Sequence, residues 1–255
     1  MIGERITGAT VLWERTLGGL AAQDFTSALI NRMFTSIDRR GKYLVFTIDD
    51  GQRLLVHLRM SGSLELSFAH EPVDAHDRII ISFSSRQLRF HDPRKFGRMI
   101  LTRDPREIIG KLGPEPFSEE LDHERFFTLL QPRRGSIKAL LLDQRFIAGI
   151  GNIYADESLF TARIHPQRTA CSLSRQEASR LLKSIRTHLE DAIEHRGTSL
   201  GAGEGNFASD GRRGGHGTEL FAFRRTGLPC PVCGTPIARM VISQRSTHYC
   251  PSCQS

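Results

Sequence analysis

The chain has 255 residues, of which 39% are hydrophobic and 25% charged, ordinary proportions for a globular protein that buries one large core or two smaller ones. Thirty-five Lys and Arg against 28 Asp and Glu leave a net charge of +7, a balance that suits a polyanionic partner, nucleic acid first and anionic membrane second. No run reaches the roughly eighteen apolar residues of a membrane span, and Met1-Ile2-Gly3-Glu4-Arg5 lacks the apolar core of a signal peptide, which argues against a membrane-embedded or secreted protein.

From Ala9 to about Arg103 the chain reads as β-structure. Ala9–Trp13, Lys42–Ile48, Arg53–Leu58, Ser63–Phe68, Arg78–Phe83, Gln87–Phe90 and Arg98–Thr102 are short, β-branched or alternating runs. Asp49-Asp50-Gly51 and Ser84-Ser85 are turn signals between them. Leu44, Phe46 and Ile48 share one face, as a half-buried strand requires. Short strands at this spacing predict a sandwich or barrel, and Ala22–Met33 is expected to form one intervening helix.

After Leu112-Gly113-Pro114-Glu115-Pro116 the period changes from two to that of a helix. Asp122 caps a predicted helix carrying Phe126, Phe127, Leu129 and Leu130, which Pro132 stops. Ser136 caps Ile137–Asp143, and a third helix runs from near Asn152 to Ala162. Ser174 and Glu177 form a capping box ahead of Ala178, Leu181, Leu182, Ile185, Leu189, Ala192 and Ile193, and Gly197 is expected to end that helix in the left-handed conformation. Residues 199–218 hold seven glycines among Arg and Ser, the composition of a loop or linker.

The last stretch is the most specific. Cys230 and Cys233 form one C-x-x-C pair, Cys250 and Cys253 a second, with sixteen residues between. This is the spacing of a four-thiolate zinc site, in which each tight C-x-x-C bend supplies two of the four ligands. Disulfides are the competing reading, but Cys171 is the one other cysteine, and reduced zinc thiolates fit a cytoplasmic protein. The β-prone runs Ile237–Ile242 and Ser246–Tyr249 would form a hairpin with Gln244 and Arg245 at its tip.

Four further stretches are weak signals one at a time. Gly149-Ile150-Gly151-Asn152 ahead of a helix offers backbone N–H groups and a side-chain amide to a phosphate, but also describes a plain tight turn between packed helices. His91-Asp92-Pro93-Arg94-Lys95-Phe96-Gly97 sets an aromatic beside two cations; Phe96 is either a wedge for a base stack or a core residue among solvated charges. Met60, within His57-Leu58-Arg59-Met60-Ser61-Gly62, carries the same two readings, and Arg39-Arg40-Gly41-Lys42 reads as a solvated strand edge.

Taken together in chain order, Lys42-Tyr43-Leu44, His57–Leu64, Asp92–Gly97, Leu112-Gly113-Pro114-Glu115-Pro116, Gly149–Tyr154 and the finger with Gln244-Arg245 resemble the formamidopyrimidine-DNA glycosylase family, bacterial repair enzymes for oxidised purines. The resemblance runs from about Ile6 to Cys253. It implies an α+β multidomain protein: an N-terminal β-sandwich (1–111), a helix-two-turns-helix DNA-binding domain (112–222) and a zinc finger with one structural Zn2+ (223–255). It implies duplex DNA with an oxidised purine or abasic site as partner; the sequence itself carries no sign of an oligomer or a membrane partner, so a monomer is expected. Lys42 matches the family's phosphate-contacting lysine, and Met60, Arg94 and Phe96, with Lys95 beside them, match the residues that fill the gap left by a flipped nucleotide. Asn152 matches the phosphate-holding asparagine and Arg245 the finger arginine that grips phosphates. Lys42 and Arg245 would thereby support catalysis. Gly201–His216 corresponds to the loop that closes over the extruded base, although Gly215-His216 stands where an aromatic pair is expected.

One departure is large. The family opens Met-Pro-Glu-Leu-Pro-Glu-Val-Glu, and its N-terminal proline attacks the sugar C1′ while the adjacent glutamate acts as acid. Neither residue has a counterpart here, because Met1-Ile2-Gly3-Glu4 aligns with the end of the family's first helix. Three readings follow. The first is a glycosylase and abasic-site lyase whose start is set too far downstream. The second is a catalytically silent binder of lesions, and the third a zinc-ribbon nucleic-acid module unrelated to repair. The chain by itself is expected to show weak or absent activity.

Overall fold

A computed structural model describes residues 1–195 and 220–255. These fall into two compact units, Met1–Lys111 and Leu112–His195 together with 220–255. Gly197 and residues 199–218, for which the sequence predicts a helix end and a base-covering loop, lie outside the described residues.

The first unit is the expected β-sandwich. One sheet has the order β1 (Gly8–Val11), β6 (Asp77–Ser82), β7 (Arg86–His91), β5 (Ser63–Phe68). The other has the order β2 (Phe34–Arg40), β3 (Tyr43–Ile48), β4 (Arg53–His57), β8 (Arg98–Thr102), and every pair in both is antiparallel. Alternation supplies the core: Phe34, Phe46, Leu54 and Val56 from one sheet meet Ile79, Ile81 and Phe90 from the other, all buried. Each such side chain contributes about 1.5–3 kcal/mol by leaving water.

Two expectations need correction here. Helix α1 spans Ala22–Leu29 and stops short of Met33, because Asn31 turns left-handed (φ 66°) and pairs through its N–H with the Ile6 carbonyl. The residues after it form β2, a strand the sequence did not announce. Of Phe34–Arg40, Phe34 alone is buried, since β2 is an edge strand with Ser, Asp and Arg facing outward. Arg39 and Arg40 thus end one strand, and a two-residue turn of Gly41 and Lys42, with Gly41 left-handed, leads into the next.

The second unit holds the helices. After the short α2 (Arg106–Ile109) of the first unit come α3 (His123–Leu130), α4 (Ile137–Leu142), α5 (Asn152–Ala162) and α6 (Arg175–Glu194). Asp122 and Ser136 accept hydrogen bonds from the Arg125 and Ala139 N–H groups, and both halves of the Ser174–Glu177 capping box form. Helix α5 runs through the core, where Ala155 and Leu159 join Phe126, Leu141, Leu181 and Ile185.

The finger packs onto α5 within the same unit. Its hairpin is β9 (Ala238–Ile242) and β10 (Arg245–Tyr249), and its small core of Ala222, Cys230, Ile237 and Cys250 is completed by Phe160 of α5. The tip is Ser243-Gln244, both left-handed as a type I′ turn requires. Arg245 is therefore not at the tip: it opens β10, paired with Ile242.

Candidate nucleic-acid interface

Strand register collects the first group of candidate residues at one end of the sandwich. Tyr43 pairs with His57 and His57 with Arg98 in one sheet, while Ser63 pairs with His91 in the other. The segments 58–62 and 92–97 are consequently neighbouring crossings from sheet to sheet, and Lys42 stands in the turn next to them. Residues more than thirty positions apart in sequence become neighbours for this reason alone.

Both crossings are tightly built. A Cβ on Gly62 would lie 2.5 Å from the Leu58 carbonyl oxygen, and one on Gly97 would lie 2.2 Å from the Phe90 ring. Arg59 (φ 58°) and Lys95 (φ 61°) are left-handed, an unfavourable backbone for residues with a Cβ. What these turns display is unusual: Met60 and Phe96 are each 47% exposed, which rules out the core reading of both. The Arg94 guanidinium lies 5.0 Å from the Phe96 ring centroid, and the Lys95 ammonium 3.9 Å from that of Trp13.

His57 lies between the two cationic stretches. Its Nδ1 accepts the Arg59 N–H at 3.0 Å, and its ring meets Tyr43 edge-on. Burial first, then the charges of Arg59 and Lys42, pull its pKa down to about 4. It is thus a neutral ring at physiological pH, with Nε2 left to carry the proton.

The second group lies in the second unit, at the start of α5. Gln144 shapes the loop before the helix, accepting the Gly149 N–H at 2.9 Å and donating to the Ile150 carbonyl at 2.9 Å. Asn152 Nδ2 donates to the Ser246 carbonyl at 2.9 Å, which leaves its second hydrogen for another acceptor. The same carbonyl takes Lys138 Nζ at 3.3 Å. Arg245, exposed and next to Ser246, therefore stands beside Asn152 at the N-terminus of a helix, where dipole and unpaired N–H groups favour an anion.

Two buried acids that sequence reading passed over hold the finger in this position. The Asp156 carboxylate pairs with Lys138 and accepts the His248 backbone N–H at 3.0 Å. Glu157 accepts the N–H groups of Phe221, Ala222 and Phe223 at 2.7, 3.0 and 2.7 Å. Burial pushes the Glu157 pKa up and those three donors oppose it. The signal was present: adjacent acids inside an apolar helix are costly unless paired.

The four cysteine sulfurs lie within 4.8 Å of one another, with Cys230–Cys253 at 3.9 Å and Cys233–Cys250 at 3.5 Å. A tetrahedron of Zn–S bonds of about 2.3 Å has edges of about 3.8 Å, so the cluster fits the metal, and 3.5 Å is far longer than a disulfide. Val232 and Cys253 N–H groups point at Cys230 and Cys250 Sγ, as they do toward metal-bound thiolates. The finger holds one structural zinc.

At the other extreme of the chain, the Met1 amine pairs with the Glu4 carboxylate, and Ile2 bridges Phe34 at the start of β2. Lys42 follows the far end of that strand, roughly 20 Å away at about 3.3 Å per residue. Neither Met1 nor Glu4 is part of the end that carries Met60, Arg94 and Phe96.

A β-sandwich, a helical unit with a cationic helix start and a four-thiolate finger define a zinc-dependent, multidomain DNA-binding architecture. Family models agree with it along the chain: the formamidopyrimidine-DNA glycosylase N-terminal domain matches residues 1–99, its H2TH domain 112–203, and the zinc finger found in FPG and IleRS 227–255. The formamidopyrimidine-DNA glycosylase of Protochlamydia amoebophila is 42% identical over 256 residues, covering 100% of this chain and 93% of its own. That of Thermus thermophilus is 45% identical over 233 residues, covering 90% and 85%. Among solved structures, a Lactococcus lactis FPG mutant bound to Fapy-dG DNA superposes with a TM-score of 0.91 at 33% identity, over 100% of this chain and 93% of that one. The Lactococcus lactis enzyme non-covalently bound to abasic-site DNA gives 0.90 at 34%, over 100% and 94%. The chain belongs to the formamidopyrimidine-DNA glycosylase family, whose members are DNA glycosylases and abasic-site lyases of base excision repair.

Proposed function

We propose that this protein finds oxidised purines, formamidopyrimidines and 8-oxoguanine, in duplex DNA and serves their excision and the β/δ-elimination that follows, as a monomer in the bacterial cytoplasm. Sandwich (1–111), helical domain (112–222) and finger (223–255) are read as its three modules. The observation that carries this is the exposed trio of Met60, Arg94 and Phe96 on two locked turns. Removing a nucleotide from the stack costs a few kcal/mol, and a wedge of two apolar side chains with a cation offsets part of it. Lys42 and neutral His57 at the same end, and Asn152 and Arg245 at the start of α5, supply phosphate contacts. Similarity to structures holding Fapy-dG, abasic-site and carbocyclic 8-oxo-G DNA supports the substrate class.

A second reading has its own observation. None of the 255 residues matches the family's proline nucleophile or adjacent glutamate, and the Met1 amine is far along β2 from Lys42. By itself this chain is then a binder of lesions that does not cut. Both repair readings predict the same first result. In fluorescence anisotropy the chain should bind a duplex carrying a tetrahydrofuran abasic analogue at least about tenfold more tightly than the intact duplex, the range of one good base-scale discrimination. Equal affinities would leave only a generic zinc-finger nucleic-acid module.

A further inference from the structure

We infer that Asp92 and Ser61 are a positioning pair that joins the two wedge turns into one unit and thereby sets the preference for damaged over intact duplex. This rests on the lesion-binding reading above.

Asp92 is 1% exposed, and each of its polar atoms is engaged. One carboxylate oxygen accepts the Ser61 hydroxyl at 2.6 Å and the Arg94 N–H at 3.3 Å. The other accepts the Gly97 N–H at 2.7 Å. Its carbonyl takes Arg78 Nε at 2.8 Å and the Lys95 N–H at 3.3 Å, and its own N–H goes to the His76 carbonyl at 2.9 Å. A single carboxylate therefore touches the residue after Met60, the backbone of Arg94 and the residue after Phe96. Arg78 and His76, from the start of β6 and the turn before it, hold the Asp92 backbone in place.

The Ser61 bond differs in kind from the others. Every other contact of the carboxylate lies within residues 92–97 and would shape that turn even in isolation. Ser61 Oγ is the contact that reaches the other turn, across 31 residues of sequence. It is short and charge-assisted, the stronger sort of hydrogen bond. The turns are otherwise joined by the strand pairs at their ends, His57 with Arg98 and Ser63 with His91, and by the Phe90 ring packed against Gly62 and Gly97, none of which holds the residues next to Met60 and Arg94 directly to each other. A wedge entering a base stack has to present its apolar tips at fixed separation, because a side chain that must first be ordered gives up part of its contact energy as entropy. The pair fixes that separation before DNA arrives.

The experiment compares Ser61→Ala and Ser61→Thr with the parent chain by anisotropy, on the tetrahydrofuran duplex and its intact counterpart. Ser61→Ala is chosen over Asp92→Asn because it removes one hydroxyl at a half-buried position and leaves the 92–97 turn its own acceptor. The lesion-to-intact affinity ratio should fall about tenfold in Ser61→Ala, the size of a lost hydrogen bond to a charged group, and Ser61→Thr, which keeps the hydroxyl, should restore it. A purely structural brace would not alter one further readout. Met60→Ala and Phe96→Ala should be non-additive in the parent and additive in the Ser61→Ala background. An unchanged ratio and unchanged coupling in folded Ser61→Ala overturn the pair's role while the lesion reading stands. A parent chain that binds both duplexes alike overturns the lesion reading and the pair with it.

Discussion

At the scale of single residues, His57 shows how a site is tuned by its surroundings. The ring is partly buried against Tyr43 and faces the charges of Arg59 and Lys42, so protonation would add a third cation where water is scarce. With its pKa down at about 4 against 6.5 for a free ring, the unfolded chain binds the extra proton over that interval and the native chain does not. Its contribution to stability is therefore complete above pH 6.5 and is lost as pH falls toward 4. Long-range 1H–15N spectra should show the Nε2–H tautomer and no titration of this ring between pH 7 and 5. A midpoint near 6.5 would mean the ring is solvated and free of the Arg59 N–H. The residue type could be read from the sequence. Its neutrality could not, because Lys42 and Tyr43 reach it only through β3–β4 register.

Single elements were legible in proportion to how local their causes are. The helices capped by Asp122, Ser136 and Ser174 begin where those side chains place them, since a cap is made by residues within one turn. The zinc site was legible for the same reason, as two short-range bends of fixed spacing. Strand β2 was not, because an edge strand with polar side chains carries no alternation, and α1 overran in reading because the Asn31–Ile6 pairing that ends it lies 25 residues apart. Asp92 and Ser61 were visible as motif letters, but their bond exists only because two sheet crossings meet. Where the cause is local, its size can be stated. Ser174→Ala should lower the stability of the helical unit by about 1 kcal/mol, read as a fall in urea midpoint. Glu177, the other half of that box, is held down to about 2, first by Arg168 and then by the Ser174 N–H. That contribution is present above its ordinary 4.5 and disappears as pH falls toward 2, so the gap in midpoint between the parent and Glu177→Gln should close on acidification. A gap as wide at pH 2.5 as at pH 6 would place the stabilisation in packing.

Over the whole molecule, the residues proposed to grip DNA fall into two groups, and neither includes the terminal amine. Lys42, Met60, Arg94 and Phe96 share one end of the sandwich and Asn152 and Arg245 one helix start, and a net charge of +7 suits the phosphate contacts proposed for both. The chemistry of the family needs an amine that attacks C1′. On abasic DNA that amine, the secondary amine of the family's proline, condenses with the sugar aldehyde, water leaves, and the resulting iminium is trapped as a stable tertiary amine when borohydride delivers hydride to it. In the 255 residues the terminal amine is paired with Glu4 at the opposite end of β2 from Lys42, so it is not placed to condense in this way. Borohydride trapping with these residues alone should yield no covalent adduct on an abasic duplex that the same chain binds tightly. Extending the chain at its amino end with the first helix of a relative, opening Pro-Glu-Leu-Pro after removal of Met, should produce one. An adduct from the unextended chain that vanishes in Lys42→Ala would assign the chemistry to Lys42 and end the silent-binder reading. If the extended chain forms none either, the departure from the family extends beyond the opening residues, into the interface itself.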